Sequence, residues 1–222
     1  MTYNILIVDE NKMILDTYIN LLSKIDFHTK NINIINSTNC EIAYRKINFY
    51  LNQNINIDLV LIDIDIPPYK EFMINNGFDI ALLLRKKMKN CKIIFLTMLC
   101  KPLVVDKIIK DIIPEGFASK KEIDHKLFLD MCEKIINGEL FISPIIAKAQ
   151  REMIKKNMNW DNYDTEIVQL IFEGIKTVNI PRYIPLSISA IEKRKAKIKG
   201  QLLRGKGNDK DLIFKARNLG LI

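Results

Sequence analysis

The chain has 222 residues, with 34 Lys+Arg against 26 Asp+Glu for a formal net charge of +8. Its 48% hydrophobic and 27% charged residues are those of an ordinary globular protein, and 8 Gly with 7 Pro exclude a fibrous or low-complexity chain. The longest uncharged apolar run, Ile93–Cys100, is far shorter than the ~18 residues of a membrane span, so no membrane partner is expected.

The front of the chain alternates apolar runs with helical patterns. Asn4–Val8 is a short apolar strand that ends in Asp9, and Asn11–Ser23 is helical, with Ile14, Tyr18, Leu21 and Leu22 on one face. Ile32–Ile35 is a second strand and Cys40–Leu51 a helix. Ile57–Ile62 is a third strand, ending in Asp63; Phe78–Met88 is helical after Gly77. Lys92–Leu96 is a fourth strand, followed by Thr97, and Leu103–Ile112 is helical. Gly116–Ser119 is a fifth, ending in Lys120; the helix Ile123–Ile136 closes at Gly138. Apolar runs without alternation are strands buried on both faces. Five strands alternating with five helices predict an α/β domain over residues 1–138, a doubly wound five-stranded parallel sheet.

Residues 139–161 read as a linker with one amphipathic helix, and residues 162–222 as a small all-α domain. Asp164 can cap a helix Thr165–Glu173 that Gly174 closes. Val178–Ile184 is a short second segment, with Pro181 inside it and Pro185 after it. Ser187 or Ser189 caps a third helix; Ser189 and Glu192 have the capping-box spacing. Its buried stripe is Ile191, Ile198 and Leu202, and its other face carries Lys193, Arg194, Lys195, Lys197 and Lys199. A last helix is expected over Lys210–Asn218.

Charge divides unevenly along the chain. Residues 151–222 hold 15 Lys+Arg and 8 Asp+Glu, a net of +7, against +1 for residues 1–150. From Glu192 to Lys206 the net is +6, on a helix whose other face is buried. That combination suits the phosphate-lined major groove of double-stranded DNA. The acidic pair Asp9–Glu10 stands where a signal peptide would be apolar, which argues for a cytoplasmic protein. Cys40, Cys91, Cys100 and Cys132 lie far apart without C-x-x-C, as reduced thiols do. His28 and His125 have no partner at useful spacing.

Ligands of open α/β sheets sit at the carboxyl ends of the strands. Asp9, Glu10, Asp63, Thr97 and Lys120 all fall there. Clustered acids attract a hard divalent cation, and Mg²⁺ is the one expected. The chemistry that fits is phosphoryl transfer onto a carboxylate: Asp63 as nucleophile, Lys120 and the Thr97 hydroxyl on phosphoryl oxygens.

The runs V-D-E at 8–10, L-I-D-I-D-I-P at 61–67, F-L-T at 95–97 and G-F-A-S-K at 116–120 resemble the receiver domain of bacterial two-component response regulators. The resemblance covers about residues 3–137. It implies phosphorylation of Asp63, four residues before Pro67, by a partner histidine kinase. It also implies Mg²⁺ held by Asp9, Glu10, Asp63 and the backbone carbonyl of Asp65, with Thr97, Lys120 and Phe117 as the switch residues. Two features depart from it: a longer segment between Pro67 and Gly77, and Met98 after the threonine. Residues 164–204 resemble the LuxR-type helix-turn-helix domain, on Gly174, Ile180, Ile184, Leu186, Ser187, Ile191, Ile198 and Leu202. Helix position makes Ser189, Glu192, Lys193, Arg194 and Lys197 the candidate DNA contacts. The family's behaviour implies a homodimer on activation and control of transcription, with no enzymatic turnover beyond the receiver's own phosphoryl transfer. Two other readings are a receiver-like scaffold that acts by protein contact, and a dehalogenase-type phosphatase with Asp63 as nucleophile and Asp65 as general acid. The latter needs an acidic pair on a strand end after the lysine; Asp124 and Asp130 lie instead on a helical pattern.

Overall fold

The computed structural model describes residues 2–27, 31–203 and 207–222. His28, Arg204 and Lys206 therefore lie outside the described residues. The chain forms two compact units, Met1–Ala149 and Gln150–Ile222.

The first unit is built on a parallel sheet: β1 (Thr2–Val8), β2 (Asn31–Ser37), β3 (Leu59–Ile62), β4 (Lys92–Thr97), β5 (Gly116–Ser119) and β6 (Phe141–Ile142). The spatial order is β2-β1-β3-β4-β5-β6. The sequence predicts five strands; the sheet has six. Phe141 and Ile142 pair with Gly116 and Phe117, within the stretch read as linker. Two residues have no period for a sequence pattern to reveal, and only the pairing with β5 makes them a strand.

Helices α1 (Lys12–Leu22), α2 (Cys40–Asn52), α3 (Gly77–Lys87), α4 (Pro102–Asp111) and α5 (His125–Ile136) connect the strands. Asn11, Asn39, Asn76 and Asp124 start four of them, each side chain accepting from a backbone N–H two or three residues on. Successive strand residues face opposite ways, so each strand feeds two cores. Leu6, Val8, Val60, Ile62, Ile93, Phe95 and Phe117 pack with α2, α3 and α4. Ile5, Ile7, Leu59, Leu61, Ile94, Leu96 and Ala118 pack with α1 and α5. Burying each such side chain contributes about 1.5–3 kcal/mol, which is why unbroken apolar runs are kept here.

The long segment after Pro67 is folded. Tyr69 N–H donates to the Ile74 carbonyl at 2.7 Å and Ile74 N–H to the Tyr69 carbonyl at 3.1 Å. The Tyr69 and Phe72 rings lie 5.1 Å apart, and Tyr44 of α2 is 4.7 Å from Phe72. Gly77 comes next, at the start of α3. A Cβ there would stand 1.9 Å from the Asp63 carbonyl oxygen, so only glycine lets α3 approach the end of β3 this closely.

Helix α6 (Pro144–Asn157) begins in the first unit, with Ile146 in its core. The second unit holds α7 (Asn162–Phe172), a 3-10 helix (Thr177–Arg182), α8 (Ile188–Leu203) and α9 (Asp209–Asn218). Helix α7 starts three residues before the expected Thr165. Asp161 is its N-cap, and Asp164 is the capping-box partner rather than the cap. Gly174, at φ +85, ends the helix turn. The segment expected over Val178–Ile184 is a 3-10 helix containing Pro181, because proline lacks the N–H that an α-helix would use there. Ser187, not Ser189, caps α8: its hydroxyl accepts from Ala190 N–H at 3.3 Å. Ile198 joins Trp160, Val168 and Leu212 in one small core, and Ile191 joins Ile167, Ile180 and Ile184 in another.

Substituting Gly77→Ala should cost about 1–3 kcal/mol of stability, the usual cost of overpacking. Urea unfolding of the full chain measures it; an unchanged midpoint would mean that α3 can shift freely away from Asp63.

Candidate functional site

Strands β1, β3, β4 and β5 are neighbours in the sheet, so their carboxyl ends converge. Asp63 N–H donates to the Val8 carbonyl at 2.9 Å, and Lys120 N–H to the Thr97 carbonyl at 2.9 Å. These backbone bonds bring Asp9, Asp63, Thr97 and Lys120 together.

Lys120 is the centre of the group. Its ammonium donates to Asp9 Oδ2 at 2.6 Å and to Asp63 Oδ2. The three side chains are 11%, 3% and 8% exposed. Burial works against the charge on Lys120, but hydrogen bonds and charge from Asp63 and Asp9 outweigh it and hold the ammonium above its ordinary pKa. The second carboxylate oxygens are also used: Asp9 Oδ1 accepts from Asn11 N–H at 3.0 Å, and Asp63 Oδ1 from Asp65 N–H at 3.3 Å. Two buried carboxylates around one ammonium leave a net charge of −1 in a poorly hydrated place, a demand for further positive charge.

Thr97 is fully buried, and its hydroxyl accepts from Leu99 N–H at 3.0 Å. That leaves the hydroxyl proton available for donation. Met98 beside it is exposed. Phe117 is fully buried, its ring 5.6 Å from Phe95. Glu10 and Asp65 are exposed at the rim. Among the described residues no group of three His, Cys, Asp or Glu side chains is gathered for a metal ion. Asp9 and Asp63 are hard oxygen donors that fit Mg²⁺ chemically, and Glu10, next to Asp9 in sequence, is exposed beside them. His125 begins α5 and lines a groove of about 460 Å³ with Ile14, Tyr18, Leu21 and Lys120. Tyr18 escaped the sequence reading as a neighbour of this site: burial, then the charges of Asp9 and Asp63, push its phenol well above the usual range. Its helical spacing marks only a core face.

Asp124 caps α5, and Asp130, also on α5, pairs with Lys134 at 2.7 Å. Neither stands on a strand end.

In the second unit the basic face of α8 is largely committed to internal acids. Arg194 reaches Asp161 at 2.8 Å and the fully buried Asp164 at 2.7 Å. Its guanidinium pKa is raised, first by the hydrogen bond to Asp164. Lys197 donates to the Asn159 carbonyl at 2.7 Å, and Lys195 and Lys199 both reach Asp209 at 2.7 Å. Lys193 is exposed and has no ion-pair partner among the described residues. Ser189 and Glu192 are exposed on the same helix.

No protein-family model and no curated protein matches the chain. Solved structures do. The RcsB response regulator of Salmonella typhimurium, from work on its conformational dynamism for DNA interaction, matches 100% of this chain and 99% of its own, with a TM-score of 0.56 and 19% identity. RcsB of Salmonella enterica serovar Typhimurium, bound to a promoter in the presence of the phosphomimetic BeF3-, matches 96% of this chain and 97% of its own, with a TM-score of 0.56 and 19% identity. The isolated REC domain of that protein, with the same phosphomimetic, matches 67% of this chain and 99% of its own, at a TM-score of 0.54 and 17% identity. The chain shares its fold with these response-regulator structures. A likeness at these identities speaks for the fold; the chemistry rests on the residues above.

Two outcomes are expected. The stability that Lys120 contributes is present at and below the ordinary lysine pKa of 10.5 and is lost as pH rises through its raised value. The urea midpoint of wild type relative to Lys120→Met should therefore stay level up to that pH and fall above it. In the second unit, Arg194→Ala should cost about 2–3 kcal/mol by leaving Asp164 buried with a weaker partner. Lys193→Ala should stay within about 0.5 kcal/mol. The single tryptophan, Trp160 in that unit's core, reports the transition by fluorescence; equal effects of the two substitutions would contradict this division of roles.

Proposed function

We propose that the protein is a two-component response regulator whose acceptor is Asp63 and whose second unit engages double-stranded DNA to control transcription. The observation that carries the reading is the Lys120 ammonium held between Asp9 and Asp63 at the carboxyl ends of β1, β3 and β5. A histidine kinase is the donor. The Asp63 carboxylate attacks phosphorus as the phosphohistidine bond breaks, and an acyl phosphate forms. Lys120 moves from pairing two carboxylates to pairing a phosphoryl oxygen. Thr97 donates its hydroxyl proton to another oxygen, and a shift of the segment from Thr97 to Leu99 would bring it there. Phe117, packed on β4, is placed to follow that shift. Asp9, Glu10, Asp63 and the Asp65 carbonyl would hold Mg²⁺, which supplies positive charge against the repulsion between acids and phosphoryl group. The protein is cytoplasmic and dimerises on activation. It is not an enzyme in the usual sense: the transfer uses its own side chain once per event.

For the second unit, DNA is favoured by its basic charge and by the exposed Ser189, Glu192 and Lys193 on α8. Arg194 and Lys197 enter that contact only by exchanging their internal partners. The same internal pairing favours a second reading, a scaffold that acts by protein contact.

Incubation with Mg²⁺ and phosphoramidate should add one phosphoryl group to the intact mass of wild type and none to Asp63→Asn. Affinity for a mixed-sequence duplex should fall steeply with salt, and Lys193→Ala should reduce the log–log slope by about one. Sustained turnover of a small phosphomonoester would favour the phosphatase. No duplex affinity at low salt would favour the scaffold.

A further inference from the structure

The turn that carries Lys120 is held from both sides. On one side is β4, through the bond from Lys120 N–H to the Thr97 carbonyl. On the other is the segment running from β6 into α6, which no feature of the acceptor chemistry requires. Three polar contacts make that second attachment. Ser143 N–H donates to the Phe117 carbonyl at 3.0 Å. The Ser143 hydroxyl oxygen accepts from Ser119 N–H at 3.1 Å. Glu122 Oε1 accepts from Ile145 N–H, in the first turn of α6, at 3.0 Å. Ser119 and Ser143 are both fully buried.

The remaining oxygen of this carboxylate is unusual. Glu122 Oε2 is buried with no hydrogen-bond partner among the described residues. An acceptor left so costs free energy that a shorter or apolar side chain would avoid. The position of the other oxygen explains what is gained: a carboxylate at the start of a helix, two residues after Lys120, tying the lysine's turn to α6. Strand β6 is only two residues long, too short to fix that geometry by its ladder bonds alone. The polar joint adds a second attachment to the end of β5, beside its pairing with β4.

We propose that Ser143 and Glu122 are positioning residues for Lys120, joining the acceptor site to the first turn of α6. Neither touches the acceptor carboxylates. They act through the backbone of residues 117–122, whose displacement moves the Lys120 ammonium relative to Asp9 and Asp63. The proposal rests on the reading of Asp63 as phosphoryl acceptor.

The test uses the full chain, Mg²⁺ and phosphoramidate. The Asp63 carboxylate attacks phosphorus, the P–N bond breaks, and the nitrogen leaves as ammonia with the protons it carries. Ser143→Ala and Glu122→Ala should label about five- to tenfold more slowly than wild type, less than the ~100-fold that a 1 Å misplacement can cost. Glu122→Gln keeps an oxygen for Ile145 N–H and should label at nearly the wild-type rate. The melting temperature of each variant is measured alongside. Slow labelling in both alanine variants, rescue by glutamine and no correlation with melting temperature would support the proposal. Rates that simply follow melting temperature, or alanine variants that label like wild type, would overturn it while leaving Asp63 as the acceptor. If wild type itself takes up no phosphoryl group, the acceptor reading fails and the positioning role with it.

Discussion

One ammonium holds the functional end of the first unit together. Asp9 and Asp63 stand at the ends of adjacent parallel strands, and backbone pairing forces them close whether or not their charges agree. Two carboxylates so placed repel each other, and both are buried enough that water screens the repulsion poorly. Lys120, from the end of β5, two places from β3 and three from β1 in the sheet order, supplies the charge that makes the arrangement tenable. The gain is conditional. A buried pair rarely stabilises a fold more than apolar side chains would, since desolvation offsets much of the attraction. Its value lies in a site that is charged, rigid and one unit short of positive charge.

The rest of that unit can be understood as support for this geometry. The two cores press on opposite faces of the sheet and fix the strand ends. Gly77 lets α3 reach the Asp63 backbone, and the aromatic cluster of Tyr44, Tyr69 and Phe72 closes the long segment before it. Sheet extension by β6 then attaches the Lys120 turn to the start of α6.

The second unit uses charge differently. Its positive surplus is real, yet four of the five cations between Lys193 and Lys199 bind acids or a carbonyl of their own unit. The fully buried Asp164 shows why: once it closes the capping box of α7 it needs a partner, and Arg194 meets it from α8. A cation can be exposed enough to look like a ligand-binding residue and still be serving the fold.

Much of the architecture was legible from the sequence because it depends on local chemistry. Unbroken apolar runs declared the buried parallel strands. Asn11, Asn39, Asn76 and Asp124 are short polar side chains of the kind that begin helices. Asp9, Asp63, Thr97 and Lys120 could be found because each is the polar residue at the carboxyl end of an apolar run. What local pattern could not supply was everything set by pairing across the chain. Two residues became β6 because β5 lay beside them. Asp164 passed from cap to capping-box partner because Asp161 had the better geometry, and Arg194 and Lys197 turned inward because acids from other segments faced them. Sequence determined which chemistry each strand end would carry, since residue type and spacing are local. Only the tertiary structure decided which charges would neutralise one another, because that depends on distances between segments far apart in the chain.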